Sequence, residues 1–394
     1  MTASRATDIE TATTGAPAAR ALMLCVHQGH ELYGSDRSFA DAVRSFATQA
    51  DADFEVLLPR RGPIESLFAD FSGTVRFTDL FVLRKATIVR SLTTRLPQSI
   101  ASIRRAAASM RRADTTYVNT CVIVDYLLAG WITGRSLVVH VREIPTGIAM
   151  RVIRFLLKRS GAKLIFNSLA TKAAFDMPSS VEQAVVWNGF TDPGEPPVRI
   201  PFDGRALRVL CIGRINGWKG QDQLIEAVAA LPLDERRRLE VRIIGGVFDD
   251  QTHFLDRLNE LIAAYGLEDV VSIHPFTTDP ADAYRWADVV AVPSRLPEPF
   301  GRVAIEAMAH GCAVIATAHG GLVEIVRNGE TGTLVPPQAP DKLAAAIREA
   351  VTDRQSVARK GNNGRLVFLE TFEQETVNHQ LTNVLQSFTN IPKR

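Results

Sequence analysis

Two acids and two cations carry the chemistry legible in this chain. Glu298 and Glu306 bracket the run EPFGRVAIE, and Arg214 and Lys219 sit in GRINGWKG. Pro-Phe-Gly after Glu298 predicts the start of a helix, which the small residues that follow carry over 300–310 to a stop at Gly311. At 1.5 Å rise per residue the two carboxylates stand on the order of 10 Å apart along the axis. Hydrolytic carboxylate pairs lie about 5 to 9.5 Å apart, so this spacing suits gripping two ends of one long polar ligand. An isolated pair of this kind is more often an N-terminal helix charge plus a solvated Glu, and an isolated Arg and Lys five apart are usually surface charges. Here Gly213, Gly217 and Gly220 interleave with the cations directly after a β-branched run, which favours a binding loop.

The elements that must position these groups alternate along the chain. Short β-branched runs predict strands over 21–27, 54–58, 116–119, 137–141, 163–167 and 185–187, then over 207–212, 241–244, 270–273, 289–292, 313–316 and 332–335. Helical patterns separate them, as parallel sheets covered by helices require. At 394 residues the chain exceeds one ordinary core, so two facing doubly wound α/β domains are expected, with ligands at the carboxyl ends of their strands. The expected division is a disordered tail over 1–20, a first domain over 21–190, a Pro-rich linker over 191–204 and a second domain over 205–370. A terminal helix within 371–394 would pack back on the first domain. Apolar content of 46% and charged content of 22% are those of a globular protein. No window approaches 18 uninterrupted apolar residues, and Cys25, Cys121, Cys211 and Cys312 lie far apart in apolar runs. Buried thiols in a reducing cytoplasm are therefore expected.

The densest stretch, PSRLPEPFGRVAIEAMAHGCAVIATAHGGLVEIVRNGETGTLVPP over 293–336, closely resembles the retaining, metal-independent glycosyltransferases of the large bacterial "group 1" (family 4) type. The resemblance spans nearly the whole chain and implies the GT-B fold. It gives Glu298 the hydroxyls of a donor sugar and Glu306 the ribose hydroxyls of a nucleotide. Arg214 and Lys219 would face the donor diphosphate; Phe300 and Gly301 would begin the helix and let backbone N–H groups approach the sugar, and the short helix after Gly320 and Gly321 would offer free N–H groups to the diphosphate. Gly34, in HQGHELYGSDRS, matches a glycine loop near the donor phosphate, although the family's two adjacent glycines are not present. In LVVHVRE, His140 matches a histidine at the sugar's reacting edge, a role the family often places nearer Arg142; Asn119 would line the acceptor cleft with His140. The resemblance thus implies Glu298, His140, Arg214 and Lys219 as the catalytic set, with no metal and no cofactor. Asp249-Asp250 lacks the spacing of an Asp-x-Asp metal motif.

The implied reaction is sugar transfer from a UDP- or GDP-sugar to an acceptor hydroxyl on a bacterial surface glycan, with retention. A sugar-nucleotide epimerase on the same fold, or a non-catalytic partner subunit, are the alternatives. Neither half has a convincing G-x-G-x-x-G after its first strand, which argues against a nicotinamide dehydrogenase. Charge adds a second theme. Residues 1–190 hold 23 Lys and Arg against 16 acids, and the remainder 22 against 27. Residues 84–112 carry eight cations and no acid, interleaved with apolar residues as in a basic amphipathic helix interrupted at Pro97; residues 151–163 repeat the pattern. Both segments suggest peripheral contact with an anionic membrane and a lipid-linked acceptor. Exposed interleaved aromatics and nucleic-acid motifs are missing from the basic segment, so a nucleic-acid partner is not expected.

Overall fold

The computed structural model describes residues 20–32, 34–83, 96–197, 204–248 and 251–392. The first half forms a seven-stranded parallel sheet of order β3-β2-β1-β4-β5-β6-β7. Its strands are β1 (Ala21–Val26), β2 (Ala52–Leu58), β3 (Thr74–Phe77), β4 (Thr115–Val118), β5 (Leu137–Val141), β6 (Lys163–Phe166) and β7 (Gln183–Val185). The second half forms a six-stranded parallel sheet of order β10-β9-β8-β11-β12-β13. These are β8 (Leu207–Ile212), β9 (Leu239–Ile244), β10 (Val271–His274), β11 (Val289–Val292), β12 (Ala313–Thr317) and β13 (Gly332–Val335). In both sheets the first strand lies beside the fourth, so a topological switch point opens between β1 and β4 and another between β8 and β11.

Helices cover both faces of each sheet. Those of the first half are α1 (Gly34–Gln49), α2 (Leu96–Arg112), α3 (Val124–Thr133), α4 (Ile148–Arg159) and α5 (Leu169–Phe175). Those of the second are α6 (Gln221–Ala229), α7 (Leu233–Arg236), α8 (His253–Ala264), α9 (Ala281–Trp286), α10 (Arg302–Ala309), α11 (Leu322–Ile325), α12 (Pro340–Thr352), α13 (Arg354–Val367) and α14 (Gln374–Phe388). Alternation along β1 sends Leu24 and Val26 to the face covered by α2, α3 and α4, and Met23 and Cys25 to the face covered by α1 and α14. In the second half Leu207, Val209 and Cys211 meet α6, α8 and α12, while Leu210 faces α10. Ala304, Ala307 and Ala309 let α10 lie close on its sheet.

The chain crosses between the halves twice, side by side. Phe190 N–H donates to Phe372 O at 3.0 Å, and Gln374 N–H donates to Phe190 O at 3.0 Å. Beyond that crossing Val377, Leu381, Leu385 and Phe388 of α14, at three- and four-residue spacing, enter the core of Phe39, Val43 and Phe46 from α1. One strand, β3, is absent from the sequence reading. It is a four-residue edge strand with half-exposed alternation, too short to signal. Pro97 does not interrupt α2 but sits in its first turn, where a missing N–H costs nothing. Residues 84–95 of the basic segment, the expected tail over 1–19 and Asp249-Asp250 lie outside the described residues. The four cysteines are free and buried, and among the described residues no helix is long and apolar enough to cross a membrane.

Candidate functional site

Two loops leave the second sheet at its switch point and are tied to each other. After β8, Asn216 Oδ1 accepts the N–H groups of Trp218 and Lys219, both at 3.1 Å, folding GRINGWKG into a tight turn. Gly220, at φ 75°, has room for no Cβ against the Pro293 carbonyl. Arg295 of the loop after β11 donates its backbone N–H to Trp218 O at 2.7 Å and pairs with Asp222 at 2.7 Å. This clasp sets Lys219 Nζ 2.7 Å from Glu298 Oε1. Ser294 Oγ donates to the same oxygen at 2.6 Å. Glu298 is nearly buried, and with both bonds on Oε1 its Oε2 keeps the capacity to accept. Arg214 lies with its guanidinium 3.9 Å from the centroid of the Phe248 ring, on the neighbouring loop after β9.

Glu306 projects from α10 one turn beyond Arg302. Its Oε2 accepts Tyr284 OH at 2.7 Å and its Oε1 accepts Arg302 Nε at 2.6 Å. Each oxygen has one lone pair committed and one left. Arg302 continues across the cleft, donating to Ser38 Oγ at 3.1 Å and to Gly34 O at 3.4 Å. A Cβ at Gly34 would press on the Arg302 side chain, so Gly34 sits at the domain junction.

Several predicted groups do other work than expected. Phe300 is a core residue, packed edge-on to Phe372. Helix α10 begins at Arg302, with Gly301 as its cap at φ 111° where a Cβ would collide with Leu322. The Gly320–Gly321 turn packs against the Glu298–Phe300 backbone. Gly320 takes φ 60°, a Cβ on either glycine would strike that backbone, and Gly321 N–H donates to Glu298 O at 2.8 Å. The turn therefore braces the Glu298 loop, and the Gly321 N–H expected for a diphosphate is already used.

The first domain brings a buried polar network to the switch point between β1 and β4. His27 pairs with Asp36 at 2.7 Å, and its Nδ1 meets Asn119 Nδ2 at 3.1 Å. Asn119 Oδ1 accepts Arg142 Nε at 2.7 Å. Asn119 is itself buried, so it does not line the acceptor cleft but holds Arg142. His140 is 1% exposed within β5, with Nδ1 2.8 Å from Tyr117 OH. Burial, reinforced by the Arg142 charge, holds its imidazole well below the ordinary range, so it is neutral. The expected contact of His140 with a sugar is not what the fold provides. Arg142, two residues on and past the strand end, emerges there instead, bonded also to Asn188 Oδ1 at 2.5 Å. Burial raises the Glu143 carboxyl, against the opposing bond from Thr120 Oγ1 at 2.5 Å.

Sequence reasoning missed the groups that join the halves. Glu324 accepts the N–H groups of Leu169 and Ala170, at 2.8 and 2.7 Å, and Trp187 Nε1 at 3.0 Å. An acid of the second domain thus caps a helix of the first. Ser168 Oγ and Thr171 Oγ1 both donate to the carbonyl of Pro299, the latter at 2.9 Å. The only local signal was Glu324 itself, following the Gly-Gly turn.

Residues 197–367 match the profile of the glycosyl transferases group 1. That match falls on the second domain. The chain is 41% identical over 167 residues to the D-inositol 3-phosphate glycosyltransferase of Kineococcus radiotolerans, covering 39% of this chain and 38% of that protein. It is 31% identical over 198 residues to the mannosylfructose-phosphate synthase of Agrobacterium fabrum, covering 49% and 43%. The match thus spans about two-fifths of these curated relatives. The whole architecture is that of Anabaena HepE, solved with UDP and glucose: TM-score 0.76, 25% identity, and 93% of this chain on 99% of that one. Sucrose-phosphate synthase from Thermosynechococcus elongatus shares the fold at TM-score 0.73 and 21% identity. The chain has the two-domain GT-B architecture, and the stretch similar to the group 1 profile is the one that carries Lys219, Glu298 and Glu306.

Proposed function

We propose that the protein transfers a sugar from a nucleotide-sugar donor to an acceptor hydroxyl, with retention at the anomeric carbon and without metal. The observation that carries this reading is the Lys219–Glu298 contact of 2.7 Å at the second sheet's switch point. Lys219 Nζ has three N–H bonds and spends one on Glu298, leaving two for phosphate oxygens. Arg214, from the same turn, is the second cation for a departing diphosphate, whose growing charge must be stabilised. Glu298 Oε2 is an acceptor for sugar hydroxyls, and the remaining lone pairs of Glu306 are acceptors for the ribose. UDP is the favoured nucleotide, since HepE, of the same architecture, binds it.

Bond changes follow a front-face course. The anomeric carbon–phosphate oxygen bond breaks as the acceptor oxygen bonds the same face, and the acceptor's proton passes to the departing phosphate oxygen. Glu298 orients and does not attack. The acceptor, a hydroxyl of a glycan or lipid-linked glycan, enters from the first domain beside Arg142.

Thermal unfolding with UDP, GDP, ADP and their hexose derivatives tests the donor. A ligand at 100 times its dissociation constant adds about 2.7 kcal/mol. Stabilisation by none of them would remove the transferase reading. A covalent glycosyl-enzyme seen by mass spectrometry would replace the front-face course with double displacement.

A further inference from the structure

The outer face of the α3–α4 layer does not look like the surface of a protein that meets only water. Trp131 and Ile132 end α3, and Ile148, Val152 and Phe155 run down α4; all five are exposed, Ile148 at 70% and Ile132 at 63%. They form one strip. Trp131 and Phe155 meet edge-on at 5.7 Å between centroids, and Arg159 lies 5.8 and 5.5 Å from the two rings. Contiguous apolar exposure of this kind marks an interaction surface.

The charge around the strip says what it meets. Residues 126–175 hold eight Lys and Arg and one acid, Glu143, whose carboxylate is turned inward to Thr120 and Cys121; of the eight, Arg154 and Lys163 pair with Asp176 and Glu182 just beyond. Arg151, Lys158 and Arg159 have no ion pair among the described residues, and the Arg135 guanidinium donates to the Arg111 backbone carbonyl. On the same side of the sheet α2 exposes Arg104, Arg105 and Arg111. A second copy of the chain is a poor occupant. A two-fold interface would set this patch against itself, cation to cation. Nucleic acid would satisfy the charges but leave Ile132, Ile148 and Val152 against a polar backbone. An anionic lipid surface satisfies both halves, taking the side chains among acyl chains and the cations among headgroups.

We infer that the α3–α4 face, with Ile132, Ile148, Phe155, Arg151 and Lys158, docks on an anionic lipid bilayer. Helix α4 starts just past the β5 end that carries Arg142 and Glu143, so docking brings the first domain's side of the cleft to the membrane. The docking does not depend on the transfer reaction, and nucleotide binding measured in parallel separates failure of one from failure of the other.

Flotation of the full chain with phosphatidylcholine vesicles containing about 30% phosphatidylglycerol is the test. Wild type is expected to float with these vesicles and to stay behind with phosphatidylcholine alone. Ile132→Ser with Ile148→Ser is expected to weaken partitioning at least about tenfold. Arg151→Glu with Lys158→Glu is expected to remove the preference for anionic lipid. Melting temperature and nucleotide affinity stay unchanged in both, because all four side chains are exposed. Three results would overturn the inference: wild type that does not float, flotation indifferent to both variants, or a dimer or oligonucleotide complex in sedimentation that the isoleucine variant abolishes.

Discussion

At the scale of single residues, Glu306 shows how a proposed ligand group is held ready. Tyr284 and Arg302 each bond one of its oxygens, fixing the carboxylate plane while leaving acceptor capacity. Glu306→Ala removes the proposed ribose contacts and strands a guanidinium. UDP affinity measured by calorimetry should fall about 10- to 100-fold. His140 makes a separate prediction. It is neutral when folded because burial depresses its pKa, whereas the unfolded chain protonates it near its ordinary value. Below pH about 6.5 the unfolded state binds the extra proton, so stability is full above that pH and falls beneath it, by up to about 1.4 kcal/mol per pH unit. His27 shifts in the same direction, with desolvation outweighing the opposing Asp36 bond. Urea unfolding at pH 7.5 and 5.5 should show a smaller acid loss in His140→Gln than in wild type. Equal losses would mean the imidazole is not buried neutral.

At the scale of elements, the Gly320–Gly321 turn is a brace for the loop that holds Glu298. Gly320→Ala forces a side chain into the left-handed region and against the Glu298 backbone. Strain alone costs about 1–3 kcal/mol, so the melting temperature should drop and transfer should fall with it. A variant with unchanged melting temperature and activity would show that the turn tolerates a Cβ. What the sequence displayed at this scale was local. The motif over 293–336 announced Glu298, Glu306 and the glycine turn because their spacing lies within one strand–helix–strand unit. Tyr284 on Glu306 and Thr171 on Pro299 were invisible, since they join residues from separate elements brought together only by the sheets. His140 lies inside, whereas Arg142, two residues on, lies past the strand end. Strand periodicity puts 140 and 142 on one face, and only the packing of Tyr117 shows which lies inside. The cap role of Gly301 and the core role of Phe300 were hidden similarly, because a motif records which residues are needed and not why.

At the scale of the whole molecule, Glu324 is the joint. Three donors of the first domain converge on it, and Ser168 and Thr171 anchor the carbonyl next to Glu298. The relative placement of the halves is thereby coupled to the position of the proposed sugar-binding acid. Glu324→Ala should lower kcat/KM about tenfold or more while UDP affinity stays within about twofold. Small-angle scattering should report a larger radius of gyration. Parallel loss of UDP affinity would instead make Glu324 part of the nucleotide site.

The seating of α14 on the first domain has a consequence for how the chain is made. Val377, Leu381, Leu385 and Phe388 complete the layer against Phe39, Val43 and Phe46, yet the ribosome delivers them only after the whole second domain. Until then the amino-terminal half carries an uncovered apolar face through most of synthesis, a target for nascent-chain chaperones. The first domain is thus completed only after the second has been made.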